Sequence, residues 1–245
     1  MVQTLRMPWT RGASLSADHR ARLLGAGVED EVLDTLVLHE LAGGPLDAWW
    51  HKWGNALYAA DVPERLVEKL VGYPCRDTLV VVASPVDNLV SLLVSDEAAT
   101  VFVGPRSELT AGEIFCGGGS SVVINGDITA TRCAVVDARN GGSVVVGREQ
   151  LWAANVYVAT DDMHRLEDLG TGVRLNPFGA HIRLGRHVWL GRDAVVTGHV
   201  DIGDGGVVGM RSLVRGQKVP AGTAVAGTPA RVIREGVAWR EDDTP

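Results

Sequence analysis

The chain has 245 residues, 46% of them hydrophobic, which is enough apolar material for a sizeable core and excludes a disordered chain. A net charge of −7 excludes a generally basic surface for nucleic acid or anionic membrane and leaves small-molecule partners as the better fit. Cys75, Cys116 and Cys133 are odd in number and lack metal-ligand spacing, which points to reduced thiols. With neither an apolar run of signal-peptide length at the amino terminus nor one long enough to span a membrane, the sequence reads as cytoplasmic.

Residues 16–72 follow a helical pattern. Val28, Val32, Leu33, Leu36, Val37 and Leu41 fall on one helix face, and Gly43 and Gly44 stop it. Pro45 opens a second expected helix, PLDAWWHKWGNALYAA, and a third runs through Pro63, Leu66, Val67, Leu70 and Val71 to Gly72. Trp49, Trp50 and Trp53 form either a sugar-stacking platform or a packing face turned to the end of the next domain or to a second subunit. The packing face is favoured, with His51 and Lys52 as its solvated edge.

From Thr78 the sequence becomes strand-like, in the runs TLVVVAS, NLVSLLVS, ATVFVG and SVVING divided by turn residues. A period of six sharpens from Gly142, where Val146 and Trp152 are each followed by a small residue. It is clearest over 178–214, where Phe178, Leu184, Leu190, Val196, Ile202, Val208 and Val214 are all apolar and five of the seven following residues are glycine. Neither a helix nor an alternating strand yields that spacing. Short strands stacked in triangular coils of eighteen residues do, with one apolar side chain inward per strand and small residues at the corners. The expected fold is therefore mainly β, a parallel β-helix over 78–228, with a helical region at 1–77 and a tail or short helix at 229–245. Between His164 and Phe178 the period fails. Residues 165–177, RLEDLGTGVRLNP, read as a loop thrown out from the coil, and such loops on rigid scaffolds commonly carry function.

The segment DDMH at 161–164, the loop after it, HVWLG at 187–191 and AGTPARVIREGVAW at 226–239 occur in this order. Over about 78–239 the chain thereby resembles the left-handed β-helix acyltransferases, especially the CoA-dependent O-acetyltransferases of sugars and capsular polysaccharides, with galactoside, maltose and xenobiotic acetyltransferases as relatives. The resemblance implies acetyl-CoA as co-substrate with no metal, a sugar-containing acceptor and a homotrimer with sites between subunits. His164 occupies the position of the family's general base, the group that takes the proton of an acceptor hydroxyl as its oxygen attacks the thioester. Asp161 and Asp162 either orient that imidazole, bind the acceptor or make a turn leaving the coil, with Asp162 ranked second to His164.

Trp189 matches the family's tryptophan beside the thioester, and an aromatic covering a neighbouring subunit is compatible with that role. CoA lies along the coils in the family. The resemblance places Arg192, Gly209 and Met210 on its path, with Met210 standing where a small residue is usual. Arg215, Lys218, Arg231 and Arg234 are the cations available for its phosphates. RGQKVP, which carries Lys218, is one residue longer than the family's usual segment before its proline. His181, His187 and His199 read as solvent-facing strand positions, and His19 and His39 belong to the helical region. An N-acyltransferase acting on an amine and a non-catalytic β-helix scaffold are the alternatives.

Overall fold

The structure is a computed structural model that describes residues 9–41, 50–60, 70, 74–86 and 88–242. Its body is a left-handed parallel β-helix of about seven turns, with three sheets as the faces of a triangular prism. Successive strands visit the first, third and second sheets in rotation. Thr100–Val103 belongs to the first, Ser107–Leu109 to the third and Glu113–Cys116 to the second, after which Ser121–Ile124 returns to the first. Leu184, Leu190, Val196, Ile202, Val208 and Val214 all point inward and are buried, as the period of six requires. Phe178 departs from it: it is 61% exposed, with the Arg174 guanidinium 4.8 Å from its ring centroid, and the coil resumes at buried Ala180.

The register explains why the period is visible only in the carboxy-terminal half. Ile182 pairs with Val200 and Val196 with Val214, each eighteen residues apart. Earlier turns are longer, because Leu79 pairs with Thr100, Thr100 with Ser121 and Ser121 with Ser143. The corners of these turns include Arg106, Ala111, Asp127, Cys133 and Glu149, all at positive φ. The last turn runs short instead. Ile202 pairs with Val219, so Val219 takes the buried place and Lys218 faces solvent.

The coil begins earlier than residue 78. Strand β1 spans Trp9–Ala13, β2 spans Leu38–Leu41 and β3 spans Ala56–Ala59; β3 pairs in parallel with Leu79–Val82 and so forms the first rung. The expected helical region 1–77 therefore mixes strand with helix. Helix α1, Ala17–Ala26, is capped by the Ser16 hydroxyl and stopped by Gly27 in the left-handed region. Helix α2 covers only Asp30–Asp34, and the expected helix through Leu41 gives way to β2, antiparallel to both β1 and β3. The apolar positions that suggest one helix face divide between a short helix and a strand that covers an open sheet edge, and helix periodicity does not distinguish the two over so short a run.

Among the described residues of the expected second helix, His51–Trp53 forms a 3-10 turn and Ala56–Ala59 is strand, with all four of its side chains buried. Residues 45–49, Trp49 included, lie outside the described residues, as does the third expected helix apart from buried Leu70. Trp50 belongs to the main core, while Trp53 is half-exposed beneath the Arg76 guanidinium.

The helices pack on the outer face of the first sheet, and not on the end of the prism. Leu23, Val28, Val32 and Leu33 form a second core with Tyr58, Val81, Phe102 and Val123. Strands Leu79–Val82 and Thr100–Val103 are consequently buried on both faces, which accounts for their continuous apolar runs. Asn125 pins this layer: its Oδ1 accepts from the Glu29 N–H at 2.8 Å and its Nδ2 donates to the Gly27 carbonyl at 3.1 Å. At the carboxy-terminal end the chain reverses. Strand Ala230–Glu235 runs antiparallel to Thr223–Gly227, so the expected tail is a strand where it follows Pro229. Among the described residues no helix is long and apolar enough to cross a membrane.

Candidate functional site

His164 follows the second-sheet strand Tyr157–Ala159 and precedes the first-sheet strand His181–Leu184, so it stands on the edge between those faces. The strands to either side show what the loop adds, because Tyr157 pairs with Val195 and the chain between them makes thirty-eight steps where eighteen would serve. The loop is stitched as a small hairpin. Glu167 bridges Arg174, the Leu175 N–H donates to the Leu166 carbonyl at 2.8 Å, and Asp168 accepts from the Gly170 and Thr171 amides and the Thr171 hydroxyl. These donors hold the Asp168 carboxyl below its ordinary range, the Thr171 hydroxyl most of all. Asn176 closes the hairpin onto His164, donating from Nδ2 to the His164 carbonyl at 2.6 Å and accepting the Leu166 N–H at 2.9 Å. The backbone at His164 is thereby fixed while its side chain stays exposed.

The two aspartates before His164 have separate surroundings. Asp162 is exposed and ion-paired with Arg215, with Nη2 to Oδ2 at 3.1 Å. Asp161 is 4% exposed. Its Oδ2 accepts from the Thr160 hydroxyl at 3.2 Å and from Asn140 Nδ2 at 3.4 Å, and its Oδ1 has no hydrogen-bond partner among the described residues. One coil above, the Arg139 guanidinium covers the Phe115 ring and donates to Asp137 Oδ1 at 2.7 Å. Burial raises the Asp137 carboxyl above its ordinary range despite that arginine.

Trp189 opens the third-sheet strand Trp189–Leu190 and is 40% exposed. It lies past the edge between the first and third sheets, so a single chain keeps it on a different face from His164. His187, two residues earlier, is not a solvent-facing strand position. It sits at a corner with φ of 57°, and its imidazole is stacked on Trp239 at 3.9 Å with an interplanar angle of 5°. His181 does face solvent, on the first-sheet strand His181–Leu184, whereas His199 is exposed in the bend just before Val200–Ile202.

The residues expected along the CoA path separate into groups. Arg192 and Met210 stand one coil apart on the edge between the third and second sheets, with Gly209 beside them; the Arg211 N–H donates to the Arg192 carbonyl at 2.8 Å. Met210 is 66% exposed. Arg231 and Arg234 are exposed on the final strand, opposite Ala226 and Ala224. Arg215 lies on the edge of His164, and Lys218 is on the first sheet, opposite Asp201. Trp239 was not singled out by sequence reasoning. A lone tryptophan in a charged carboxy-terminal stretch gives no periodic signal.

No protein-family model matches the chain. Galactoside O-acetyltransferase of Escherichia coli K12 is 33% identical over 93 residues, 38% of this chain and 44% of that protein. WbbJ of the same organism, described as a lipopolysaccharide biosynthesis O-acetyl transferase, is 35% identical over 101 residues, 38% of this chain and 50% of that one. The chain thus spans about half the length of the curated relatives it matches. Among solved structures, the polysialic acid O-acetyltransferase OatWY superposes with a TM-score of 0.50 at 21% identity, covering 70% of this chain and 85% of that one, which shows a shared fold. The chain thus carries a hexapeptide repeat, is similar in sequence over about two-fifths of its length to O-acetyltransferases, and shares its parallel β-helix fold with OatWY.

Proposed function

We propose that this protein is an acetyl-CoA-dependent O-acetyltransferase acting on a hydroxyl of a sugar-containing acceptor. The observation that carries the reading is His164, exposed at the base of an ordered hairpin where the coil is interrupted, in the DDMH segment that resembles the family's catalytic position. An acceptor hydroxyl is almost wholly protonated at neutral pH. His164 takes its proton as the oxygen attacks the thioester carbonyl of acetyl-CoA. The carbon–sulfur bond then breaks, and the imidazolium returns the proton to the departing CoA thiolate. Asp162, ion-paired with Arg215 beside His164, faces the acceptor. Trp189 flanks the thioester, and Arg192, Gly209 and Met210 line the pantetheine. Arg231 and Arg234 meet the phosphates, with Arg215 and Lys218 contributing only from a neighbouring copy.

His164 and Trp189 occupy different faces, so one site needs two chains, and a homotrimer supplies them. The hairpin supports this, since Leu166, Leu169, Val173 and Leu175 are all more than half exposed on it, an apolar surface suited to a second subunit. A cytoplasmic setting fits the three unpaired cysteines. The test is incubation with acetyl-CoA and a panel of sugar and amino-sugar acceptors, read by mass spectrometry. Acetylation of neutral sugars supports the reading, transfer only to amines replaces it with N-acylation, and absence of both transfer and acetyl-CoA binding overturns it.

A further inference from the structure

The carboxy-terminal segment does something the coil does not need. Strand Ala230–Glu235 already closes the third sheet, yet the chain then climbs the edge between the first and third sheets. The Val237 N–H donates to the Gly222 carbonyl at 2.8 Å; Gly222 in turn donates to Asp204 at 2.8 Å, and Gly205 to Arg186 at 2.8 Å. At the level of Arg186 the segment places Trp239 flat against His187. Two reciprocal hydrogen bonds lock the pair. Trp239 Nε1 donates to the His187 carbonyl at 2.8 Å, and His187 Nε2 donates to the Trp239 carbonyl at 3.1 Å.

Trp239 is 8% exposed, yet it belongs to neither hydrophobic core. Its burial comes from the outer surface of the prism. The other ring beside it is Trp189, with centroids 6.4 Å apart and planes tilted by 50°. Such a tilted pair is an ordinary attractive aromatic arrangement. The residue gripped by the indole is also the corner from which Trp189 departs, and that corner holds a non-glycine residue at positive φ, a conformation that costs about 1 kcal/mol without support.

We infer that Trp239 is a positioning residue for Trp189: the carboxy-terminal segment is a strap whose indole fixes the His187 corner and supplies one wall beside the acyl-donor site. The inference rests on the reading of Trp189 as part of that site. It also assigns the strap a sequence requirement, an aromatic ring at 239 with a donor nitrogen.

The test uses full-length protein labelled with 5-fluorotryptophan, with the Trp189 resonance assigned by Trp189→Phe, alongside calorimetric titration with CoA. Trp239→Leu is expected to move the Trp189 resonance and weaken CoA binding about five- to twentyfold. In the kinetics, KM for acetyl-CoA rises by a similar factor and kcat changes less than twofold. Trp239→Phe, which keeps a ring on His187 but loses the Nε1–H bond, falls between, and is read alone if the leucine variant does not fold. An unmoved Trp189 resonance with unchanged CoA affinity in folded variants overturns the inference. If the wild type binds no CoA but the resonance still moves, the strap stands as a positioning device and the acyltransferase reading fails.

Discussion

Asp162 and Arg215, fifty-three residues apart in sequence, meet in an ion pair 3.1 Å long at the edge that carries His164. Both side chains are more than two-fifths exposed, so the pair adds less than about 1 kcal/mol to stability. Its expected importance is in placing Asp162. Asp162→Asn and Arg215→Met should each lower acetyl transfer about tenfold, with the double variant no worse than either alone, because the two act as one unit. The urea midpoints of all three should stay near that of the wild type.

His164→Ala removes an exposed side chain whose backbone is held by Asn176, so the fold should survive unchanged. Transfer should fall roughly 10²- to 10⁴-fold while CoA affinity stays within twofold of the wild type. Steady-state kinetics with calorimetric titration decide this, and retained turnover removes His164 from the mechanism.

Two glycines test the coil separately from the chemistry. A Cβ on Gly191 would lie 2.7 Å from the Met210 nitrogen, against backbone that cannot swing aside, so Gly191→Ala should cost about 1–3 kcal/mol. Gly216 has φ of 58° with nothing within 4 Å, and Gly216→Ala should cost only the backbone penalty of about 1 kcal/mol. Urea denaturation followed by circular dichroism gives both values.

Acid should weaken the edge that carries Asp127. Hydrogen bonding to Arg106, then to Arg148, holds its carboxyl below the ordinary range, so between the folded and unfolded pKa values the unfolded chain binds the extra proton. The contribution of Asp127 is complete above the unfolded value, near 4, and is lost as pH falls through the folded one. Thermal melts from pH 6 to pH 3 should show a steeper fall for the wild type than for Asp127→Asn.

Thiol reactivity should follow burial. Cys116 is fully buried, and desolvation pushes its thiol up to about 12; Cys133 is partly exposed. A disulfide reagent should label Cys133 in the native protein and reach Cys116 only after unfolding.

The repeat was legible where a turn is eighteen residues long and the apolar residues fall on one count, from Leu184 to Val214. It was not legible at β3, because Ala56–Ala59 is buried on both sides and a turn of twenty-three residues separates it from Leu79. Phe178 kept the count but faces solvent, since sequence spacing carries no information about where the chain re-enters a coil after a loop. His164 was visible as an interruption of a pattern. Trp239 was not, because its partners lie two coils away, and only the reversal of the last strand brings them together.

A prism of parallel strands has a weakness at each end, since its last rung offers unpaired backbone to any matching chain. Here the third sheet is finished by Ala230–Glu235, which runs against the direction of the coil, while the first sheet is finished by β2, which also runs against it, and then by β1, which runs with it again. A second prism arriving at the carboxy-terminal end of the third sheet meets a strand of the wrong polarity for continuing the winding. Fibre-like growth along the axis is thereby discouraged through that sheet.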